Sequence, residues 1–262
     1  MRLAALAVAL TLAPSTAFAR FAPPEGKPLR YAIVEERGEG VTASRFTTER
    51  RVVFHKVSSG FTADLTVTAA DATGNEKIAA MSRTVPAALM GRTIRYRLDG
   101  EGNVVAVEDQ AALIALVAGA FAAMPEVGPG ARIAGTIRSM PEAQQRGMLA
   151  SLLQPMALAD RADALAASRA VTVPASSPLG QAVALAGQET VSRDSADRTV
   201  IDTVAEGSTG ADAPMIRITT RLVIDRATGL LISSERQTES WLPAAPDKRT
   251  VSKTTSTVTP VS

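Results

Sequence analysis

The chain has 262 residues, with 28 Lys+Arg against 26 Asp+Glu, one histidine, no cysteine and 3% aromatic residues. The absence of cysteine excludes disulfides, thiolate metal sites and cysteine nucleophiles, and a single histidine excludes a two-histidine metal site. A nearly balanced charge with so few aromatics gives no basis for nucleic-acid binding, which needs a dense basic surface and stacking platforms.

The first residues, "MRLAALAVALTLAPSTAFA", place Arg2 before an apolar run from Leu3 to Leu12 and end on Ala17-Phe18-Ala19. This is the pattern of a secretory signal peptide with an A-x-A cleavage site. The expectation is an exported, periplasmic chain cleaved after Ala19. No later stretch offers the ~20 uncharged apolar residues of a membrane-spanning helix. The rest, residues 20–262, buries roughly 70–75% of its unfolded surface and needs no covalent staples. Length alone allows one large domain or two small ones, and the dependence of both strand-rich halves on the central apolar helices makes the reading a single domain.

After a loose entry, "RFAPPEGKP", the patterning has period two. In "LRYAIVE", Leu29, Tyr31 and Ile33 share a face; in "FTADLTVTA", Phe61, Ala63, Leu65, Val67 and Ala69 do the same. Alternation of this kind marks half-buried antiparallel strands. The β-branched run "ASRFTTERRVVFHKV" lies between them. Its Arg50 and Arg51 diverge to opposite faces, as do Glu35 and Glu36, and a solvated strand face accounts for both pairs. His55, in the same run, reads as a surface or half-buried strand residue, because no G-x-S-x-G elbow accompanies it. A further turn is read at "AADATGNEKIA".

"RTIRYRL" leads into "RLDGEGNVVAVEDQ", which has Asp99, Glu101 and Asn103 at the first, third and fifth positions of an EF-hand-type loop. Such a loop requires glycine at position 6 and glutamate at position 12. Val104 and Gln110 stand there instead, so the stretch reads as a hairpin built on Asp99-Gly100-Glu101-Gly102.

The period changes after Asp109. In "DQAALIALVAGAFAAM", Leu113, Leu116, Val117, Ala120, Phe121 and Met124 form one stripe of a helix, with a small-residue opposite face that suggests burial on both sides. "SMPE" offers Ser139 and Glu142 at capping-box spacing, and a stripe then runs through Met148, Leu149, Leu152, Leu153 and Met156. Pro155 should end or kink that helix before "MALADRADALAA" resumes helical spacing. A helical insert at about 109–168 is thus expected. Gly128, Gly130 and Gly135 lack G-x-G-x-x-G spacing, so no phosphate loop is read there.

Strand character returns from about Val171. In "MIRITTRLVID", Ile216, Ile218, Leu222 and Ile224 face one way; "RATG" turns the chain into "LLISSERQTESW", and "KRTVSKTTSTVT" ends it. Strands, helices, then strands without βαβ alternation give an α+β class with an antiparallel sheet.

This layout resembles the bacterial periplasmic lipoprotein-carrier fold, the LolA, LolB and LppX-like group, over most of the chain. The resemblance rests on the strand–helix–strand order, on D-x-x-G hairpins such as "LDGEGNVVAV" and "IDRATGLLIS", and on the export signal. Exported bacterial families of unknown function share those hairpins. The resemblance implies a large curved sheet, a half barrel, with two or three central helices on its concave face, where the group binds acyl chains. The expectation is therefore a carrier or chaperone of the cell envelope binding a lipid, an acylated protein or another apolar ligand. Leu113, Leu116, Val117, Phe121, Met148 and Leu152 are its candidate lining, with no cofactor, metal or catalytic residue. The second reading is a non-catalytic envelope module that engages a protein partner through a sheet edge such as "KRTVSKTTSTVT". The enzymatic reading has no motif and ranks last.

Overall fold

A computed structural model of the chain describes residues 21–38, 43–124, 129–162, 167–176, 182–208 and 213–261. The expected signal peptide and its cleavage point lie outside the described residues. In chain order the elements are β1 (Leu29–Arg37), β2 (Ser44–Val57), β3 (Gly60–Thr73), α1 (Glu76–Leu89), β4 (Thr93–Leu98) and β5 (Val104–Val107). Next come α2 (Gln110–Ala122), α3 (Pro129–Ser139), α4 (Glu142–Ala150), a 3-10 turn (Gln154–Met156) and α5 (Ala159–Ala162). The chain then returns to strand in β6 (Ala167–Ser176), β7 (Ala182–Ser195), β8 (Arg198–Ser208), β9 (Met215–Asp225), β10 (Leu231–Leu242) and β11 (Ala245–Pro260).

All eleven strands form one open antiparallel sheet in the order β5-β4-β3-β2-β1-β11-β10-β9-β8-β7-β6. The expected α+β class with a curved sheet and helices against its concave face is what the chain adopts. The first and last strands meet at the centre, with Leu29 opposite Pro260 and Arg37 opposite Ser252. The helical segment leaves from β5 at one edge and re-enters at β6 on the other. Ten steps between strands at about 4.8 Å each make that crossing roughly 48 Å along the sheet. A chain crossing a buried face must satisfy its own backbone, which is a physical reason for this segment to be largely helical.

The main apolar core lies between β1–β5 and the helices. Leu29, Val52, Phe54, Leu65, Ile94 and Tyr96 contribute from the sheet, and Ile114, Val117, Ile137, Leu149 and Met156 from the covering segment. Smaller clusters form under β7–β9, one with Leu185, Ile216 and Ile218 and another with Ile201 and Ile224. The entry segment is not loose. Phe21 is buried edge-on against Phe54 and Phe61, with ring centroids 5.5 and 5.3 Å away. The Ala22 amide donates to the Thr228 carbonyl at 2.9 Å, fastening the entry to the β9–β10 turn.

Several sequence expectations need correction. Residues 76–89, beyond the turn read at "AADATGNEKIA", form a helix that the sequence reading did not include: Asn75 caps α1 by accepting from the Ile78 amide at 3.3 Å. In β3 the expected face runs only to Val67. Glu49 and Arg50 of β2 stand opposite Ala69 and Val67, so Thr68 is an extra residue in the ladder. That bulge reverses the phase. Ala69 is consequently exposed and Ala72 turns inward.

The capping box at "SMPE" does not form, because Ser139 ends α3 and its hydroxyl donates back to the Thr136 carbonyl, while Pro141 occupies the N-cap of α4. Helix α2 is covered on one side only. Ile114, Val117 and Ala118 are buried, whereas Ala112, Ala115, Ala122 and Ala123 are exposed. "KRTVSKTTSTVT" is no edge: β11 is paired along its length with β1 and β10. The sheet's edges are β5 and β6, because the centre is where the two ends of the chain meet.

Candidate functional site

The β4–β5 hairpin is built as its residues require. One Asp99 carboxylate oxygen accepts from the Glu101 and Asn103 amides at 2.9 and 2.8 Å, and the other from Asn103 Nδ2 at 3.0 Å. Gly102 sits at φ +88°, where a Cβ would lie 2.9 Å from the Phe21 ring. The hairpin's side chains are therefore committed to its own turn and to the entry segment.

Beyond the hairpin lies a cleft. Strand β5 pairs only with Tyr96, Arg97 and Leu98, leaving the start of β4 uncovered at the sheet edge. The Glu108 amide still reaches the Arg95 carbonyl at 2.9 Å, and Asp109 then turns the chain into α2 with φ 50° and ψ 32°. A non-glycine residue in that conformation costs on the order of 1–3 kcal/mol. Asp109 makes no side-chain capping bond to offset it. The turn stands α2 away from the start of β4, and between them opens a cleft of about 460 Å³ lined by Arg92, Thr93, Arg95, Ala112, Leu113 and Leu116 with Glu108 and Asp109. Clefts that hold small ligands span about 300–1,000 Å³. One wall is apolar and the other carries both signs of charge, the arrangement an amphiphile fits.

The polar wall is fixed from behind. Arg95 donates from Nε and Nη2 to the two oxygens of Asp64, at 2.7 and 3.0 Å. These hydrogen bonds hold the Asp64 carboxyl below its ordinary value against the opposing effect of burial. His55 Nε2 lies 4.0 Å from the same carboxylate, on a half-exposed side chain. It is a surface strand residue, in line with its sequence reading.

The six candidate lining residues separate. Leu113 and Leu116 line the cleft. Val117 is fully buried in the core, and Phe121, Met148 and Leu152 are half-buried against that core. The structure does not bring these four to the cleft.

One group escaped the sequence reading. Arg50 is not on a solvated face; it is only 9% exposed. Its Nη1 donates to the Leu152 carbonyl at 2.6 Å, and its guanidinium lies 5.5 Å from the Tyr31 ring centroid. Among the described residues no carboxylate pairs with it, and its Nε has no hydrogen-bond partner. Burial pulls the Arg50 guanidinium below its ordinary value, with the neighbouring Tyr31 and Tyr96 opposing. Burial raises both tyrosines in turn, and the Arg50 charge works against it. The signal was present in the alternation, since Thr48, Arg50, Val52 and Phe54 share one face of β2 and the last two declare it inward. Tyr96, on β4, donates its hydroxyl to the Leu149 carbonyl at 3.0 Å, a second tie to the end of α4.

A separate ionic cluster joins α5 to the sheet. The buried Glu189 of β7 accepts from Arg161 and, at 3.0 and 2.7 Å, from Arg169. Burial pushes this carboxyl up, but the two arginines prevail and hold it below the usual range. Among the described residues no helix is long and apolar enough to cross a membrane.

No family model matches the chain. No curated protein matches it. Among solved structures it is similar to one described as "lipid-protein interactions in lipovitellin", with a TM-score of 0.44 and 10% identity over 91% of this chain and 25% of that one. The chain thus spans about a quarter of the length of that neighbour. The functional reading rests on the chain's own side chains.

Proposed function

We propose that this is an exported protein that binds an amphiphilic lipid in the cleft between β4 and α2. Hydrocarbon lies along Ala112, Leu113 and Leu116, and the polar group lies toward Arg92, Arg95, Glu108 and Asp109. The observation that carries the reading is the cleft itself, of about 460 Å³ with one apolar and one charged wall. In this reading the protein is a carrier in the periplasm that performs no chemistry on its cargo, and the N-terminal signal pattern supports the compartment.

The test is a titration of a fluorescent fatty acid into the wild type and the double variant Leu113→Ala/Leu116→Ala. A half-buried leucine contributes about half the 1.5–3 kcal/mol of a fully buried one, so the pair should contribute roughly 1.5–3 kcal/mol to affinity. That corresponds to a loss of about 10- to 150-fold. Equal affinity in the two proteins, with both folded, refutes the assignment of the cleft.

A further inference from the structure

We propose that Arg50, with Thr48 beside it, forms an internal anion-recognition point on the concave face of the sheet, for the carboxylate or phosphate of a ligand. This site is distinct from the β4–α2 cleft.

A polar row crosses the middle of the sheet. Arg50 stands opposite Tyr31, and Thr48 opposite Ile33. Ile33 in turn faces Ser256, and Ser256 faces Ser234, their hydroxyl oxygens 2.7 Å apart. The row supplies a guanidinium and hydroxyls, and no carboxylate. The nearest acid on this face of β1, Glu35, is four residues along from Tyr31 and bonded to Arg37. Two donors in the row are left over, Arg50 Nε and the Thr48 hydroxyl, both fully enclosed and without a hydrogen-bond partner. Thr48 is 2% exposed.

A buried cation without a counter-charge is among the more unfavourable arrangements a core can hold, and one carbonyl and one ring face offset only part of it. Tethering α4 does not require it: the Tyr96 hydroxyl already does so without charge. An excess of enclosed donors around a fixed positive charge is the complement of an anion. An anion with its oxygens on Nε and Nη2, the edge that Arg95 presents to Asp64, would be held in the bidentate fork for which arginine is suited, and a charge-assisted bond is about twice as strong as a neutral one. The residues that yield are 151–156, a stretch of turn and 3-10 backbone whose amides bond only within the stretch or back to the end of α4.

The experiment compares dodecanoate with dodecanol, which share a chain and differ in charge, and uses acetate and inorganic phosphate as chain-free anions. Isothermal titration is run on the wild type, Arg50→Met, Arg50→Lys, Thr48→Val and the cleft variant Leu113→Ala/Leu116→Ala. The wild type should bind dodecanoate about tenfold or more tightly than dodecanol, and Arg50→Met should abolish that preference. Arg50→Lys, which keeps the charge but not the fork, should retain only part of it.

Thr48→Val should weaken dodecanoate about two- to fivefold and leave dodecanol unchanged. A structural role for these residues would move stability without moving the charged-to-uncharged ratio. The cleft variant should weaken dodecanol and leave the Arg50-dependent binding of dodecanoate in place. Arg50-dependent binding of acetate or phosphate alone would assign the site to a free anion instead of a lipid head group. Equal affinities in the wild type, or a ratio that survives both Arg50→Met and Thr48→Val, overturns the proposal while leaving the cleft intact. If neither chain-bearing ligand binds, the cleft reading falls and the anion site stands only on the acetate and phosphate arms; silence in those as well refutes both.

Discussion

Phe21→Ala tests how the chain's entry is fastened. The residue is buried and packs edge-on against Phe54 and Phe61, while its ring also rests on Gly102 of the β4–β5 hairpin. Removing a buried phenylalanine costs about 3–5 kcal/mol, transfer and cavity together. That is a large part of the ~5–15 kcal/mol that holds an ordinary domain together. For a chain of this size it lowers the melting temperature by roughly 6–20 °C. Phe21→Leu keeps much of the volume but loses two ring–ring contacts worth about 0.5–1.5 kcal/mol each, so it should fall between. Urea unfolding monitored by circular dichroism measures the change, and the fluorescence of Trp241, stacked on Arg249 at 4.6 Å, reports independently from β10. A loss of less than about 1 kcal/mol for Phe21→Ala would show that the ring is not part of the core, since even modest cavities cost more.

Gly102→Ala should destabilise by about 2–4 kcal/mol, combining a left-handed backbone with overpacking against Phe21. In the Phe21→Ala background the steric part disappears, so unfolding of the double variant should show a coupling above about 0.5 kcal/mol; strict additivity would deny the contact. Glu189→Gln removes the charge that Arg161 and Arg169 share, and should cost about 1.5–3 kcal/mol at pH 7. The Glu189 carboxyl is depressed in the folded state, so its stabilisation is present above the ordinary glutamate value of 4.5 and lost as pH falls through the folded value. Urea midpoints from pH 7 to pH 3 should therefore decline in the wild type and converge on those of Glu189→Gln at the acid end; parallel curves would exclude the linkage.

Much of the fold was legible because its strands alternate cleanly. Leu29 and Tyr31, Phe61 to Val67, and Ile216 and Ile218 point inward as period two requires. The hairpin at Asp99 was readable because its glycines and Asn103 answer the turn's own needs. Helix α1 was hidden: Pro86 sits inside it, and Ile78 and Met81 of its apolar set are exposed, so the stripe did not declare a core face. The bulge at Thr68 left no local mark, since its phase depends on the partner strand. The central place of β11 was equally invisible, because pairing between the two ends of the chain is set by the whole sheet. Helical spacing set Leu113 and Leu116 on one stripe, and both line the β4–α2 cleft. Arg50 is misplaced whenever charge is equated with solvent, although the neighbouring Val52 and Phe54 carry the contrary signal.

The most direct test of lipid binding in the β4–α2 cleft is to locate a bound chain. A photoreactive fatty acid carrying a diazirine near the end of its hydrocarbon is bound to the protein, crosslinked and mapped by tandem mass spectrometry. Labels are expected at the start of α2, on residues 112–116, and should be lost when Leu113→Ala/Leu116→Ala is used. Labels confined to the exposed apolar residues of α1, Ile78 and Met81, or absent altogether at saturating ligand, would contradict the assignment.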